Sequence, residues 1–159
     1  MRHINRNAFT MMELVFVIVI LGILASVAIP KLAVTRDDAI IAKGKSQVAA
    51  IRSGIAMQRS KNMLENRIQA NGFFPTNLDL IAAASNDGDR LFNSSDGNTS
   101  NILEYPIFSE ATKNGGWGKT GANAYTFRVM GVNHTFTYNN ATGIFNCTDG
   151  SSICTQLMQ

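Results

Sequence analysis

The stretch Phe9 to Lys31, FTMMELVFVIVILGILASVAIPK, constrains this chain more than any other. From Leu14 to Ile29 every residue is apolar except Ser26, and Gly22 is the only break in side-chain bulk. A run of this kind is a membrane span, a secretion signal or a buried core helix. A spanning helix needs roughly 20 apolar residues at about 1.5 Å rise each. Phe9 to Ala33 supplies that length if Glu13 sits near one surface. A buried helix in a chain of 159 residues would rarely be apolar on every face. A secretion signal would need a shorter run and a small-x-small cleavage site, and Ala25-Ser26-Val27-Ala28 matches one only loosely.

Glu13 separates these readings. An ionisable group at membrane depth costs a few kcal/mol or more and points to function by default. The plain alternative is a carboxylate solvated at the headgroup level. The functional alternative requires a positive partner, and from Phe9 onward no basic residue lies within one or two helical turns. An amine created by cleavage before Phe9 would supply one, in the same chain or in a neighbour.

These residues carry a family resemblance. Ala8-Phe9-Thr10-Met11-Met12-Glu13, followed by the apolar run and Pro30, resembles the N-terminal signal of type IV pilins and type II secretion pseudopilins. In that family a prepilin peptidase cuts before a Phe and methylates the new N-terminus. Counting Phe9 as the first mature residue puts Glu13 fifth and Pro30 twenty-second, as the family has its acid and its proline. The match covers roughly the first 35 residues. One residue departs from the pattern: the family prefers Gly before the cut, and here it is Ala8, small enough for a narrow site.

The resemblance implies a cleaved leader over 1–8, a membrane-spanning and filament-core helix over 9–33, and an exported globular domain over 34–159. It also implies self-association, other pilin-like subunits, an inner-membrane assembly platform and a cytoplasmic ATPase as partners, and no cofactor. Arg2 and Arg6 in the leader favour a cytoplasmic N-terminus by the positive-inside rule. The expected location is the bacterial inner membrane, single-pass, with the C-terminal domain in the periplasm, and a filament after assembly.

The formal net charge is +3, and loss of Arg2 and Arg6 would leave about +1. A nearly neutral mature chain lacks the basic surface that strong nucleic-acid binding needs. Contact of exposed loops with DNA is left open. The two cysteines, Cys147 and Cys154, are a disulfide or two free thiols; no nearby His or further Cys completes a four-ligand metal set. An oxidising compartment favours the disulfide, worth roughly 2–3 kcal/mol for so short a loop. It would pin the C-terminal tail against the preceding strand.

Residues 9 to about 62 read as one long helix. Its second half is amphipathic, with Ile41, Gly44, Val48, Ile51 and Ile55 at spacings of three and four. That stripe is read as core packing against a sheet, with Lys43, Lys45, Arg52 and Arg59 facing elsewhere. Gly22 and Pro30 are the expected points of weakening or bending.

Residues 63–123 show little periodicity. Thr76 and Asp79 resemble a helix start, predicting a short helix through Leu80, Ile81 and Ala84. Asp87, Asp89 and Asp96 lie in a polar, turn-rich run. The calcium-loop pattern fails there, because Asn101 stands in the run and no Glu follows at the required place. GGWGKTG, Gly115 to Gly121, lacks the spacing of a phosphate loop and reads as a mobile loop carrying Trp117, which packs on the domain or meets a neighbour.

Residues 124–147 alternate as strands. Tyr125, Phe127 and Val129 share one face; Phe136 and Tyr138 oppose Thr135 and Thr137; Ile144-Phe145 opens a last strand after a turn. The fold expected is α+β and pilin-like, a long N-terminal helix on an antiparallel sheet of three or four strands.

Asn-x-Ser/Thr sequons stand at Asn93, Asn98, Asn133, Asn140 and Asn146, and Asp96 two residues before Asn98 makes Asn98 the candidate for bacterial glycosylation. His134, the only His outside the leader, reads as a surface residue, and no nucleophile–base pair or metal cluster points to an enzyme. The function expected is a structural filament subunit serving secretion, a pilus or DNA uptake. The alternative is a membrane-anchored binding or adhesion module that never assembles.

Overall fold

A computed structural model describes residues 9–68, 72–93 and 102–159. Among the described residues, α1 spans Met11–Leu64 and α2 spans Ser152–Met158. The strands are β1 (Arg90–Leu91), β2 (Ile107–Phe108), β3 (Trp117–Gly121), β4 (Ala124–Val129), β5 (Val132–Asn139) and β6 (Ile144–Cys147). The chain divides into two compact units, Met1–Arg36 and Asp37–Gln159. The fold is α+β, with an N-terminal apolar helix and an antiparallel four-stranded sheet in the order β3-β4-β5-β6.

In the second unit, period-two alternation decides what the sheet buries. Trp117 and Lys119 of β3, Tyr125, Phe127 and Val129 of β4, His134, Phe136 and Tyr138 of β5, and Phe145 of β6 are all buried. Register sets them side by side: Trp117 opposite Phe127, Lys119 opposite Tyr125, Phe127 opposite His134, and Tyr138 opposite Phe145. The aromatic rings touch, with Phe136 stacked on Phe145 at 5.4 Å and Trp117 5.0 Å from Phe127. Burying each such ring contributes about 2–3 kcal/mol.

The face of α1 formed by Ile41, Gly44, Val48, Ile51 and Ile55 closes this core, as its spacing predicts. Trp117 Nε1 donates to Gln47 Oε1 at 3.0 Å, so the indole N–H is satisfied inside.

The two outer strands have their margins covered. Arg52 Nε donates to the Phe145 carbonyl at 3.1 Å, and Met158 Sδ receives the Cys147 N–H. At the other side the Trp117 carbonyl takes the Glu110 N–H, and the backbone of Lys119 bonds with Ser85 through both its N–H and its C=O.

Four expectations from sequence are corrected. Residues 76–84 form no helix. Asp79 Oδ1 accepts the Ile81 N–H in a local turn, and its carboxylate is drawn into the core by Lys119 and Tyr125. A helix there would have competed with that turn for the same N–H. The glycine-rich stretch is no mobile loop; Trp117–Gly121 is β3, and Trp117 and Lys119 are buried. Its glycines answer close approach: a Cβ at Gly116 would meet the Glu110 carbonyl oxygen at 2.0 Å. His134 is buried, because it shares the core face with Phe136 two residues on. Lys43 and Arg52 do not face away but reach the sheet side, Lys43 Nζ bonding the Gly115 carbonyl at 2.8 Å.

Candidate functional site: the N-terminal helix

The first unit carries the residues that the sequence singles out. Phe9 precedes α1 and is 82% exposed. Thr10 and Glu13 then form a reciprocal cap: the Glu13 N–H donates to Thr10 Oγ1 at 3.3 Å, and the Thr10 N–H faces Glu13 Oε2 at 3.5 Å. Thr-x-x-Glu ahead of an apolar run is the capping-box signature, and it satisfies backbone donors that the first turn leaves without partners. The negative carboxylate also complements the positive end of the helix dipole. The sequence offers Glu13 a solvated headgroup position or a cation; the cap is a third role, signalled by Thr10 three residues before it.

Met11–Ile29 is a 19-residue apolar segment, long and apolar enough to cross a membrane. At about 1.5 Å per residue it extends about 28 Å, close to the hydrocarbon thickness of a bilayer. None of it is buried within the chain. From Leu14 to Ile29 the polar exception is Ser26, which returns its hydroxyl to the Ile23 carbonyl at 2.7 Å, so that this part of the surface asks for no water. Nothing lies within 4 Å of where a Cβ would stand on Gly22. Pro30 falls within α1. Ala8 and Asn98 lie outside the described residues.

At the far end of the chain, Cys147 and Cys154 are joined in a disulfide, with Cα atoms 5.5 Å apart. The bond ties the end of β6 to α2. Ser151 caps α2 by accepting the Cys154 N–H at 3.1 Å. His134 Nδ1 lies 2.7 Å from Asp149 Oδ2 and 3.1 Å from Ser151 Oγ, so a strand, a turn and a helix cap converge on one ring. Burial is the strongest influence on the Asp149 carboxyl and acts to raise its pKa. The Ser151 N–H and hydroxyl, with His134, outweigh it and hold the pKa below the ordinary value. Cys147, Asp149 and Cys154 stand close enough to share an ion, but the disulfide consumes both sulfurs.

A third cluster was not foreseen. Lys119 and Asp79 form an ion pair with side chains 1% and 0% exposed, and the Tyr125 hydroxyl donates to the second Asp79 oxygen at 2.8 Å. Burial first, and the Asp79 carboxylate second, push the Tyr125 pKa well up, so it keeps its proton. The alternation that places Trp117 inside also places Lys119 inside, and that signal was present in the sequence.

No family model matches the chain, and no solved structure matches it. Among curated proteins, the type II secretion system core protein G of Klebsiella michiganensis is 39% identical over 62 residues, which is 39% of this chain. The match spans 44% of that relative's length. With its N-terminal apolar helix and antiparallel four-stranded sheet, the chain resembles the type IV pilin and pseudopilin family, and it has a relative among the type II secretion pseudopilins.

Proposed function

We propose that this chain is a structural subunit of a pilus-like filament, assembled through its N-terminal helix and serving secretion as a pseudopilin. The observation that carries the reading is the sequence register of Phe9, Glu13 and Pro30 around an exposed helical segment, Met11–Ile29, long enough to span a bilayer. Residues 1–8 are the leader that prepilin peptidase removes, and Phe9 is the N-methylated first residue. Residues 9–33 hold the subunit in the inner membrane and then bundle in the filament core, with Gly22 and Pro30 as the points where the helix yields. Residues 34–159 face the periplasm. Glu13 of one copy meets the Phe9 amine of another, which fixes register more than it adds stability. The work of assembly comes from a platform and ATPase in the cell, and the subunit itself is no enzyme. Pilus and DNA-uptake machines use the same kind of head, and the relative favours secretion.

The test is the mass of the N-terminal peptide from native membranes. A chain beginning at N-methylated Phe9 is expected. A chain that keeps its leader would leave Glu13 without its cation and favour a non-assembling membrane-anchored module. The capping box sharpens the second test. Glu13→Gln retains a capping side chain while removing the charge, so it should insert normally and assemble poorly. Normal assembly of Glu13→Gln would show that the cap, not the charge, is what Glu13 provides.

A further inference from the structure

The functional reading leaves the buried Lys119–Asp79–Tyr125 cluster unused. Lys119 on β3 and Tyr125 on β4 are cross-strand partners, and Asp79 reaches them from the segment before β1. Lys119 Nζ touches Asp79 Oδ1 and also donates to the Ile81 carbonyl. The Asp79 carboxyl carbon therefore lies one C–O bond beyond an atom that the amine already contacts. Tyr125 Oη sits 2.8 Å from Asp79 Oδ2, on the other side of the carboxyl group. The Tyr125 ring lies 5.4 Å from Nζ and stacks on Phe92 at 4.8 Å. The core that encloses the cluster also holds Leu78 and Leu91, both fully buried.

We propose that Lys119 and Asp79 condense within the folded domain into an amide linking Lys119 Nζ to Asp79 Cγ. The ammonium first passes a proton to the carboxylate along their hydrogen bond, leaving a neutral amine beside a carboxylic acid. The nitrogen lone pair then attacks Cγ, and the N–C bond forms. The nitrogen passes a second proton to Oδ1, the oxygen it already contacts, the Cγ–Oδ1 bond breaks, and Oδ1 leaves as water with the two protons lost by nitrogen. Tyr125 keeps its proton and donates a hydrogen bond to Oδ2, steadying the negative charge that gathers there while Cγ is attacked. Nothing is oxidised or reduced, and the two charges cancel.

Four features favour the step. Fixed contact replaces a bimolecular encounter, which is the largest advantage a folded site can offer an amide-forming pair. Burial keeps out the water that would reverse it. The ion pair is held out of solvent at a desolvation cost, and the amide removes both charges. Tyr125 is the hydrogen-bond donor to the oxygen that gathers charge, a role that its position and its retained proton suit.

The test is peptide mapping and intact mass of the full chain extracted in detergent, with the disulfide reduced. The expected result is a mass one water below that of the same chain unlinked, resistance to trypsin after Lys119, and a branched fragment joining the Asp79 and Lys119 peptides. Asp79→Ala should abolish the branch. Tyr125→Phe keeps the ring in the core, so it should fold and form the branch more slowly in a time course after synthesis. Full recovery of the separate peptides from the wild-type chain, with cleavage after Lys119, would overturn the proposal. A Tyr125→Phe chain that links as fast as wild type would overturn the role given to the hydroxyl.

Discussion

Gly44 of α1 and Leu157 of α2 meet with no room for a side chain between them. A Cβ on Gly44 would stand 2.6 Å from Leu157 Cδ2 and 2.6 Å from Phe127 Cε1. The absence of a side chain lets the C-terminal helix and the sheet seat against one turn of the long helix. Gly44→Val should therefore destabilise the domain by about 1–3 kcal/mol through overpacking. A urea titration measures it, and a second substitution, Leu157→Ala, should restore part of the loss. If the two substitutions simply add, the contact is not what limits position 44.

Gly54 poses a harder problem, because its neighbour is backbone. A Cβ there would come within 2.1 Å of the Ile102 carbonyl oxygen. Alanine inside a helix normally gains about 1 kcal/mol over glycine, yet here that gain should be reversed. Gly54→Ala is expected to lower stability by about 2 kcal/mol or more, since a backbone carbonyl cannot rotate away as a side chain can. A thermal melt matching or exceeding that of wild type would contradict this packing.

Opening the link between Cys147 and Cys154 should loosen α2. A Cys147→Ser/Cys154→Ser chain is expected to lose roughly 2–3 kcal/mol, seen as a melting temperature lower by about 10 °C. Hydrogen exchange in α2 should rise before exchange in β4 and β5, because only α2 and the turn before it lose a tether. Equal acceleration throughout the sheet would mean that the disulfide supports the whole domain.

Asp149 gives the C-terminal turn a predictable response to acid. Its folded pKa lies below the ordinary carboxylate value, so its contribution is fully present above that value. The contribution is lost as pH falls through the lower, folded one. Stability at pH 7 and pH 5 should thus carry the same contribution from this group, and a loss should begin only below about pH 4. Its size is under about 1 kcal/mol, since the carboxylate remains partly solvated. Asp149→Asn should flatten that part of the acid limb in stability measured against pH. A wild-type limb indistinguishable from that of the variant would contradict the assignment.

Legibility followed periodicity. The stripe Ile41 to Ile55 and the alternating runs around Phe127 and Phe136 announced their buried faces, because a single period ruled each of them. Alternation carried two residues back from Phe136 places His134 inside, and Lys119 follows the buried Trp117 by two on β3. Residue type argued the other way, since a lysine and a lone histidine are usually exposed. What offset their polarity was a partner distant in sequence, Asp79 for one and Asp149 for the other. Asp79 also shows why the segment before β1 was misread: its local pattern suits a helix cap, and only Lys119 and Tyr125, forty or more positions away, settle where its carboxylate goes. In the N-terminal helix, the Thr10–Glu13 cap is local, three residues from donor to acceptor, and the charge of Glu13 points equally to an ion pair.

The covered margins of the sheet carry a consequence for behaviour at high concentration. A bare outer strand is an invitation to register with the same strand of another molecule, and such pairing tends toward irreversible aggregates. Arg52 and Met158 meet β6 on one side, and Glu110 and Ser85 meet β3 on the other. Copies of this domain can crowd together without zippering by their β-edges. Any ordered polymer they form must be dictated from elsewhere in the chain.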